Sequence, residues 1–368
     1  MTKACSLKGQ QKLFFLQLGT VASCCKAYSE PLALYRNIDQ LVQHWAQEKV
    51  ALSEGQQLPG CEFCWQRESQ GQQSYRQLKV HETFNQLELY LDNTCNQMCS
   101  YCSPKFSSSW ENSIAEQGMF ENVSEAAKQN LEIGPVVVDQ QHWLDQVYQY
   151  IQQQPDNSVV LKLLGGEPLM QIRHLQKLLE LDNSKIRQLR ITTNLNPPSN
   201  KFLTWLLEHV PANRLHFDVS LDATPEFNHV PRAGFDQQRF LENLQLLQDH
   251  KVSYKFLSVV SVLSIFDLSN FLAWGQTNQH RIELLPINNP QCLDPKLLPD
   301  SFKPQMDAGN LPVFVQDILR PSTAQVDLKL FEQYNYLLEY FKRTQINPEK
   351  TSNQLFTQYW KTLSKKFT

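Results

Sequence analysis

Long apolar runs are missing from this chain: no stretch approaches the roughly 20 residues that a bilayer-spanning helix needs, so membrane insertion is not expected. Glycine is sparse, 12 in 368 residues, and with 19 prolines and no internal repeat or low-complexity segment the composition has no fibrous or disordered bias. Charge of one sign is also lacking. A formal net charge of −3 and a sequence pI near 6.3 give no global basic field, which disfavours tight non-specific binding to nucleic acid while leaving room for a local tRNA site. The nine histidines, among them His81, His142, His174, His216 and His229, show no paired metal spacing and are assigned no ligation. What remains is an ordinary globular composition, 41% hydrophobic, long enough for one large domain with an appendage or for two domains.

Cysteine is present in quantity. Of nine cysteines, seven fall into a triplet, a C-x2-C pair and an adjacent pair, with Cys5 and Cys292 apart, a grouping that points to metal or cluster ligation in a reducing, cytoplasmic setting rather than to secreted disulfides. Lys12 followed by Leu13–Leu18 and Val21-Ala22-Ser23-Cys24 has the outline of a lipoprotein signal. Its apolar part is short, Gln17 interrupts it and cleavage would discard Cys5, so export is disfavoured and the same residues read as a buried strand.

The stretch Leu91–Trp110, LDNTCNQMCSYCSPKFSSSW, sets Cys95, Cys99 and Cys102 in a C-x3-C-x2-C array. Three thiols so close share one ion or cluster. Zinc takes four protein ligands or three plus water, whereas a cubane held by three cysteines leaves one iron open to a small molecule. With Tyr101 just before the last cysteine, the array resembles the defining motif of the radical S-adenosylmethionine (radical SAM) superfamily. The resemblance spans roughly residues 5–290. It implies a four-iron cluster on Cys95, Cys99 and Cys102, S-adenosylmethionine chelated at its open iron, reductive cleavage to a 5′-deoxyadenosyl radical, and hydrogen abstraction from a substrate carbon. An electron donor such as flavodoxin or ferredoxin is implied with it.

Residues 1–80 read as a small cysteine-bearing module. Leu13–Leu18 and Thr20–Ala22 make a hairpin turned at Gly19, and Cys61 and Cys64 sit beside a Pro59-Gly60 turn. Four thiols, Cys5, Cys24, Cys61 and Cys64, can then converge, with Cys25 an alternative to Cys24. Tetrahedral zinc and a second four-iron cluster both fit such a set. The order C-x13-G-x4-C then C-x2-C resembles the twitch domain, a shorter relative of the SPASM domain, which implies an auxiliary 4Fe-4S cluster. In most relatives that domain follows the barrel; here it precedes it. Cys292 reads as a small buried hydrophobe.

From residue 81 to about 290 strands alternate with helices. Strands are expected at Leu87–Leu91, Val159–Leu164, Arg187–Thr193, Leu215–Leu221, Tyr254–Val262 and Ile282–Leu285, with helices near Gln140–Gln153, Gln171–Glu180, Lys201–His209, Asp236–Asp249 and Leu268–Gln276. Six β/α units predict an α/β fold, a partial (β/α)6 TIM-like barrel with polar groups at the C-terminal strand ends. Gly165, Gly166 and Glu167 follow the second strand, Asn194 the third, and Ser220 closes the fourth with Arg232 downstream. By resemblance Gly165, Gly166 and Glu167 serve the methionine amino group, Ser220 and Arg232 its carboxylate or the ribose, and Asn194 the ribose; ordinary strand-end capping is the alternative. The long Ser103–Asp139 segment is expected to be a lid or binding loop, with Ser107–Glu111 contacting substrate or Trp110 sealing the mouth. Residues 291–368 are expected to be a proline-rich wrap and a helical tail, Leu328–Arg343 and Phe356–Lys366, packed on the barrel.

Substrate class stays open. Twitch and SPASM relatives act on peptides or small sugar-like alcohols, and other superfamily members on nucleosides or RNA. The acidic balance disfavours RNA, and no leader-binding winged helix is seen. A zinc-bound interaction protein on the same barrel is the non-enzymatic alternative.

Overall fold

A computed structural model describes residues 5, 8, 11–77, 85–132, 139–171, 183–287, 289–303, 311–320 and 327–367. The helix expected over 171–180 lies beyond Gln171 outside these residues, as do His81 and His174. In chain order the strands are β1 Gln11–Phe15, β2 Thr20–Ala22, β3 Glu30–Pro31, β4 Asn85–Tyr90, β5 Met98–Cys99, β6 Val159–Leu164, β7 Ile186–Thr193, β8 Leu215–Ser220, β9 Arg232–Ala233, β10 Ser253–Val260 and β11 Ile282–Pro286. Cα packing divides the chain into two compact units: Met1–Asn93 with Gly134–Thr192 and Asn213–His216, and Thr94–Ile133 with Thr193–Ala212 and Phe217–Thr368.

The first unit is built on β4, β6 and β7, joined in parallel, with Leu87 opposite Leu161 and Leu163 opposite Ile191. The apolar run of β6 is buried on both faces, as a covered parallel strand requires, whereas β7 alternates, burying Ile186, Leu189, Ile191 and Thr193. β1 joins the same sheet parallel to β4, and β2 returns antiparallel to β1. The expected hairpin is therefore present, with a short 3-10 turn at Leu16–Leu18 and Gly19 in the left-handed region at φ 62°. The helix Gln140–Gln152 is capped by Asp139, which accepts from the His142 amide at 3.0 Å, and buries Trp143, Leu144, Val147 and Ile151 at helical spacing. Phe14 meets Trp143 at 6.5 Å between ring centres, so strand and helix close one core.

In the second unit β10 pairs parallel with β11, Phe256 opposite Ile282. The helix Gln237–Asp249 begins at Asp236, whose carboxylate accepts from the Arg239 amide at 3.0 Å, and presents Phe240, Leu244 and Leu247 inward. Lys201–His209 does the same with Phe202, Leu203 and Leu206, and Leu268–Thr277 follows β10. Both units thus belong to the α/β class foreseen, a mostly parallel, partial TIM-like fold that is not a closed barrel.

The Ser103–Asp139 segment is ordered into two helices, Ser108–Gln117 and Glu125–Leu131, each with a serine cap, and is not a bare loop over its described part. The wrap after Pro286 is a string of 3-10 turns, Gln291–Leu293, Pro295–Leu297 and Asp300–Phe302, burying Cys292, Leu293, Leu298 and Phe302. Two tail helices follow, Asp327–Thr344 and Gln354–Phe367. No described helix is long and apolar enough to cross a membrane.

Candidate functional site

All nine cysteines are thiols. Cys95, Cys99 and Cys102 lie on one loop of the second unit, and the serines after them fix its backbone. Ser108 and Ser109 donate from their hydroxyls to the Cys95 carbonyl at 3.2 and 2.8 Å, and Ser107 donates to the Gln97 carbonyl at 2.7 Å while capping its helix. Trp110, fully buried, donates its indole N–H to the Cys99 carbonyl at 3.0 Å. The Ser107–Trp110 run, expected to touch substrate or seal a mouth, therefore braces the cysteine loop from behind.

A two-residue antiparallel pair supplies the other brace. β5 pairs with β9, Met98 opposite Ala233 and Cys99 opposite Arg232. Gly234 has φ 89°, and a Cβ there would stand 2.6 Å from the Asn96 carbonyl oxygen, so only glycine lets the strands close. The tail helix Asp327–Thr344 locks this pair. Tyr336 donates to the Ser100 carbonyl at 2.9 Å; Tyr340 donates to the Val230 carbonyl at 2.9 Å and accepts from the Ala233 amide at 3.2 Å. Sequence reading missed this role, although the i, i+4 spacing of two tyrosines on one helix face was visible.

Around the thiols stand buried polar groups. Arg232 reaches Cys99 Sγ with Nη1 at 3.5 Å, donates Nε to Asp222 Oδ2 at 2.8 Å, and meets the Tyr101 hydroxyl, which donates to Asp222 at 2.7 Å. Asn194 Nδ2 lies 4.0 Å from Cys95 Sγ and 3.1 Å from Asn96 Oδ1. Burial and the neighbouring Cys99 push the Cys102 thiol up to about 12; Cys99 is also raised by burial, against the pull of Arg232. Crowded thiols shielded from water resist becoming anions unless a cation joins them, so the donor set fits a cationic metal centre, an iron–sulfur cluster included, that takes the place of their protons. Ser220, half-buried, ends β8 in the same unit.

The Gly165-Gly166-Glu167 turn belongs to the first unit. Gly165 and Gly166 have φ 80° and 55°, and a Cβ on Gly165 would press to 3.1 Å of Tyr90. Glu167 is fully buried; its Oε1 accepts from the Leu169 amide at 3.0 Å, and Gln171 donates to the Gly165 carbonyl at 3.0 Å. The turn is thus fixed on its inner side, by Tyr90 against Gly165 and by Gln171 on the Gly165 carbonyl.

In the first unit Cys5, Cys24, Cys61 and Cys64 line one cavity, with Lys8, Lys26 and Arg76 in its wall. Cys61 stands at the N-terminus of the helix Glu62–Ser69 and Cys64 in its first turn. Cys25, exposed, is not among the lining residues, so of the adjacent pair it is Cys24 that the geometry gathers. Burial raises Cys61 to about 11, Lys8 pulling it down and Cys24, Cys5 and Glu48 pushing it up.

Residues 89–266 match the Radical SAM superfamily. Among solved structures the chain is similar to native anSMEcpe with bound AdoMet, at 14% identity and a TM-score of 0.39, covering 70% of this chain and 59% of that one. It is similar also to Streptococcus suis SuiB bound to S-adenosylmethionine, at 14% identity and a TM-score of 0.38, covering 71% and 48%. The chain accordingly spans about three fifths of the length of the first and about half of the second. No curated protein matches it. The segment that matches the radical SAM superfamily, residues 89–266, is the one that carries the cysteine loop, its serine and tryptophan contacts and the β5–β9 pair.

Proposed function

We propose that this chain is a radical SAM enzyme that oxidatively modifies a peptide or small polar molecule, with an auxiliary four-iron cluster in the N-terminal cysteine cavity as electron acceptor or substrate site. The observation that carries the reading is the cysteine loop: three buried or half-buried thiols, held by hydrogen bonds from Ser108, Ser109, Trp110 and Tyr336 to its carbonyls and anchored across β5 and β9. When bound, the three-cysteine cluster and S-adenosylmethionine supply the radical chemistry. The protein's share is to hold Cys95, Cys99 and Cys102 rigid, to exclude water and oxygen by burial, and to position the cofactor. Gly165, Gly166 and Glu167 are assigned to the methionine amino group; Asn194 and Ser220 to the ribose or carboxylate; Tyr101 to the cofactor side of the loop.

Residues 1–80 are assigned as a twitch-like carrier of the second cluster on Cys5, Cys24, Cys61 and Cys64, residues 81–290 as the radical SAM barrel and residues 291–368 as wrap and helical tail. A set of four thiols leaves no iron open in a cubane, so this site passes electrons or positions substrate and does not bind S-adenosylmethionine. The cluster that Cys95, Cys99 and Cys102 would hold would take its electron from a flavodoxin- or ferredoxin-type donor. Four converging thiols suit tetrahedral zinc as well. Anaerobic reconstitution followed by elemental analysis separates the two: about eight irons per chain are expected for two four-iron clusters. About four irons with one zinc would turn the N-terminal site into a structural ribbon, and no bound iron would remove the reading altogether.

A further inference from the structure

We propose that Arg232 acts on the cluster through Cys99 and not on S-adenosylmethionine, as a residue that sets the reduction potential of the cubane on Cys95, Cys99 and Cys102; this rests on the cluster assignment above. The cross-strand register places Arg232 directly opposite Cys99, and the Ser100 amide donates to the Pro231 carbonyl at 2.9 Å, so the two residues cannot drift apart without breaking the β5–β9 pair. Arg232 is 6% exposed and Asp222 is fully buried.

Four of the guanidinium's five N–H donors are engaged. Nε goes to Asp222 Oδ2 at 2.8 Å, Nη2 to Asp222 Oδ1 at 3.3 Å and to the Tyr101 hydroxyl, and Nη1 to Cys99 Sγ at 3.5 Å. Asp222 is fastened in turn: Oδ1 accepts the Val259 amide at 2.8 Å, Oδ2 accepts the Tyr101 hydroxyl at 2.7 Å, and its own amide donates to Asn228 Oδ1 at 2.9 Å. Two faces of a planar fork are pinned by a carboxylate and a phenol, which fixes where the third points. It points at a ligand sulfur.

A cationic N–H donor on a cysteine sulfur draws charge away from the iron and stabilises the reduced cluster, which carries one more electron than the oxidised one. The effect therefore raises the reduction potential. Asp222 tempers the guanidinium's net charge, but the directed N–H remains, and in a buried setting such a bond is stronger than in water. Tyr101 and Asp222 are positioning residues for Arg232. A guanidinium spent in this way has no fork left for a methionine carboxylate, which is the role that the family resemblance assigned to it.

The test is a redox titration of the reconstituted full-length chain followed by electron paramagnetic resonance, reading the signal that a Cys95→Ala/Cys99→Ala/Cys102→Ala variant lacks. Arg232→Gln is expected to load as much iron as the parent and to lower the potential of that signal by about a tenfold change in the reduced-to-oxidised ratio, ~59 mV for one electron. Arg232→Lys, which keeps a cation without the fork, should restore part of the shift, and S-adenosylmethionine affinity measured without turnover should change little in both. An unchanged potential with at least tenfold weaker S-adenosylmethionine binding would overturn the proposal and return Arg232 to the cofactor. Should Arg232→Gln fail to load iron, Tyr101→Phe decides, since it removes one hydroxyl that fixes the fork: a smaller shift of the same sign supports the proposal, and none contradicts it. Absence of the signal from the parent itself would instead defeat the cluster assignment.

Discussion

The two cysteine sets differ in how the chain assembles them. Cys95, Cys99 and Cys102 are local in sequence, and their loop is stiffened by distant partners: Arg232 across β9 and Tyr336 and Tyr340 from the tail helix. Cys5, Cys24, Cys61 and Cys64 come from three separated segments whose meeting depends on the fold of the first unit. A local motif announces itself and hides its supports, whereas a dispersed one depends on the fold before it exists at all. The first set should therefore tolerate loss of the second better than the reverse pairing of function would suggest.

The sharpest way to break that comparison is to remove one set. Cys61→Ala with Cys64→Ala is expected to cost about half of the iron, in line with loss of one four-iron cluster, and to stop product formation. Slow release of 5′-deoxyadenosine should continue, uncoupled from substrate; its loss, measured by chromatography, would mean that the sets are not separable. Gly234→Ala attacks the supports of the triplet instead. With φ 89° and the Asn96 carbonyl 2.6 Å from the new Cβ, the β5–β9 pair must open, at a cost of about 1–3 kcal/mol in urea denaturation together with loss of iron. Iron retention at parental stability would show that the pair is not a brace.

Trp110→Phe is gentler: it deletes one indole N–H and leaves the Cys99 carbonyl without that donor, an expected loss of about 1–3 kcal/mol. Its cluster should also bleach faster in air. The smallest effect lies in the first unit. Lys12, on β1, is lowered to about 8 by burial, with Lys49 adding to it, and its amine donates to Asn85 Oδ1 at 2.6 Å. Unfolded, the amine keeps its proton to an ordinary lysine value; folded, it has lost it above about pH 8. Stability should thus rise with pH from about 8 towards 10.5, by at most about 1.4 kcal/mol per pH unit, and fall back as pH drops through 8. A Lys12→Met variant whose melting temperature climbs as steeply over that range would refute the assignment.

Much of the fold was legible. Apolar runs such as Val159–Leu164 and 3.6-periodic segments such as Lys201–His209 coincide with the observed elements, because burial on both faces of a parallel strand and on one stripe of a helix leaves few other patterns. Ser103–Asp139 misled as an expected loop: Ser107 reads as a polar contact when it is a helix cap, and the cap shows only once the Trp110 amide is seen donating to it. For the site, motif spacing exposed the triplet, and turn residues exposed Gly165 and Gly166. The aim of Arg232 was hidden. Its register against Cys99 joins residues far apart in the chain, and no local pattern encodes a cross-strand pair of two residues. Tyr336 and Tyr340 were hidden for the same reason, as tail-helix residues whose hydroxyls matter only at the carbonyls they reach.

The central claim is that Cys95, Cys99 and Cys102 carry the S-adenosylmethionine chemistry, and its most direct test is 5′-deoxyadenosine formation by anaerobically reconstituted protein with a low-potential reductant, parent against Cys95→Ala/Cys99→Ala/Cys102→Ala. The parent should form 5′-deoxyadenosine with time and the triple variant none, while the variant keeps the iron of its N-terminal quartet. Equal 5′-deoxyadenosine from both proteins would contradict the account.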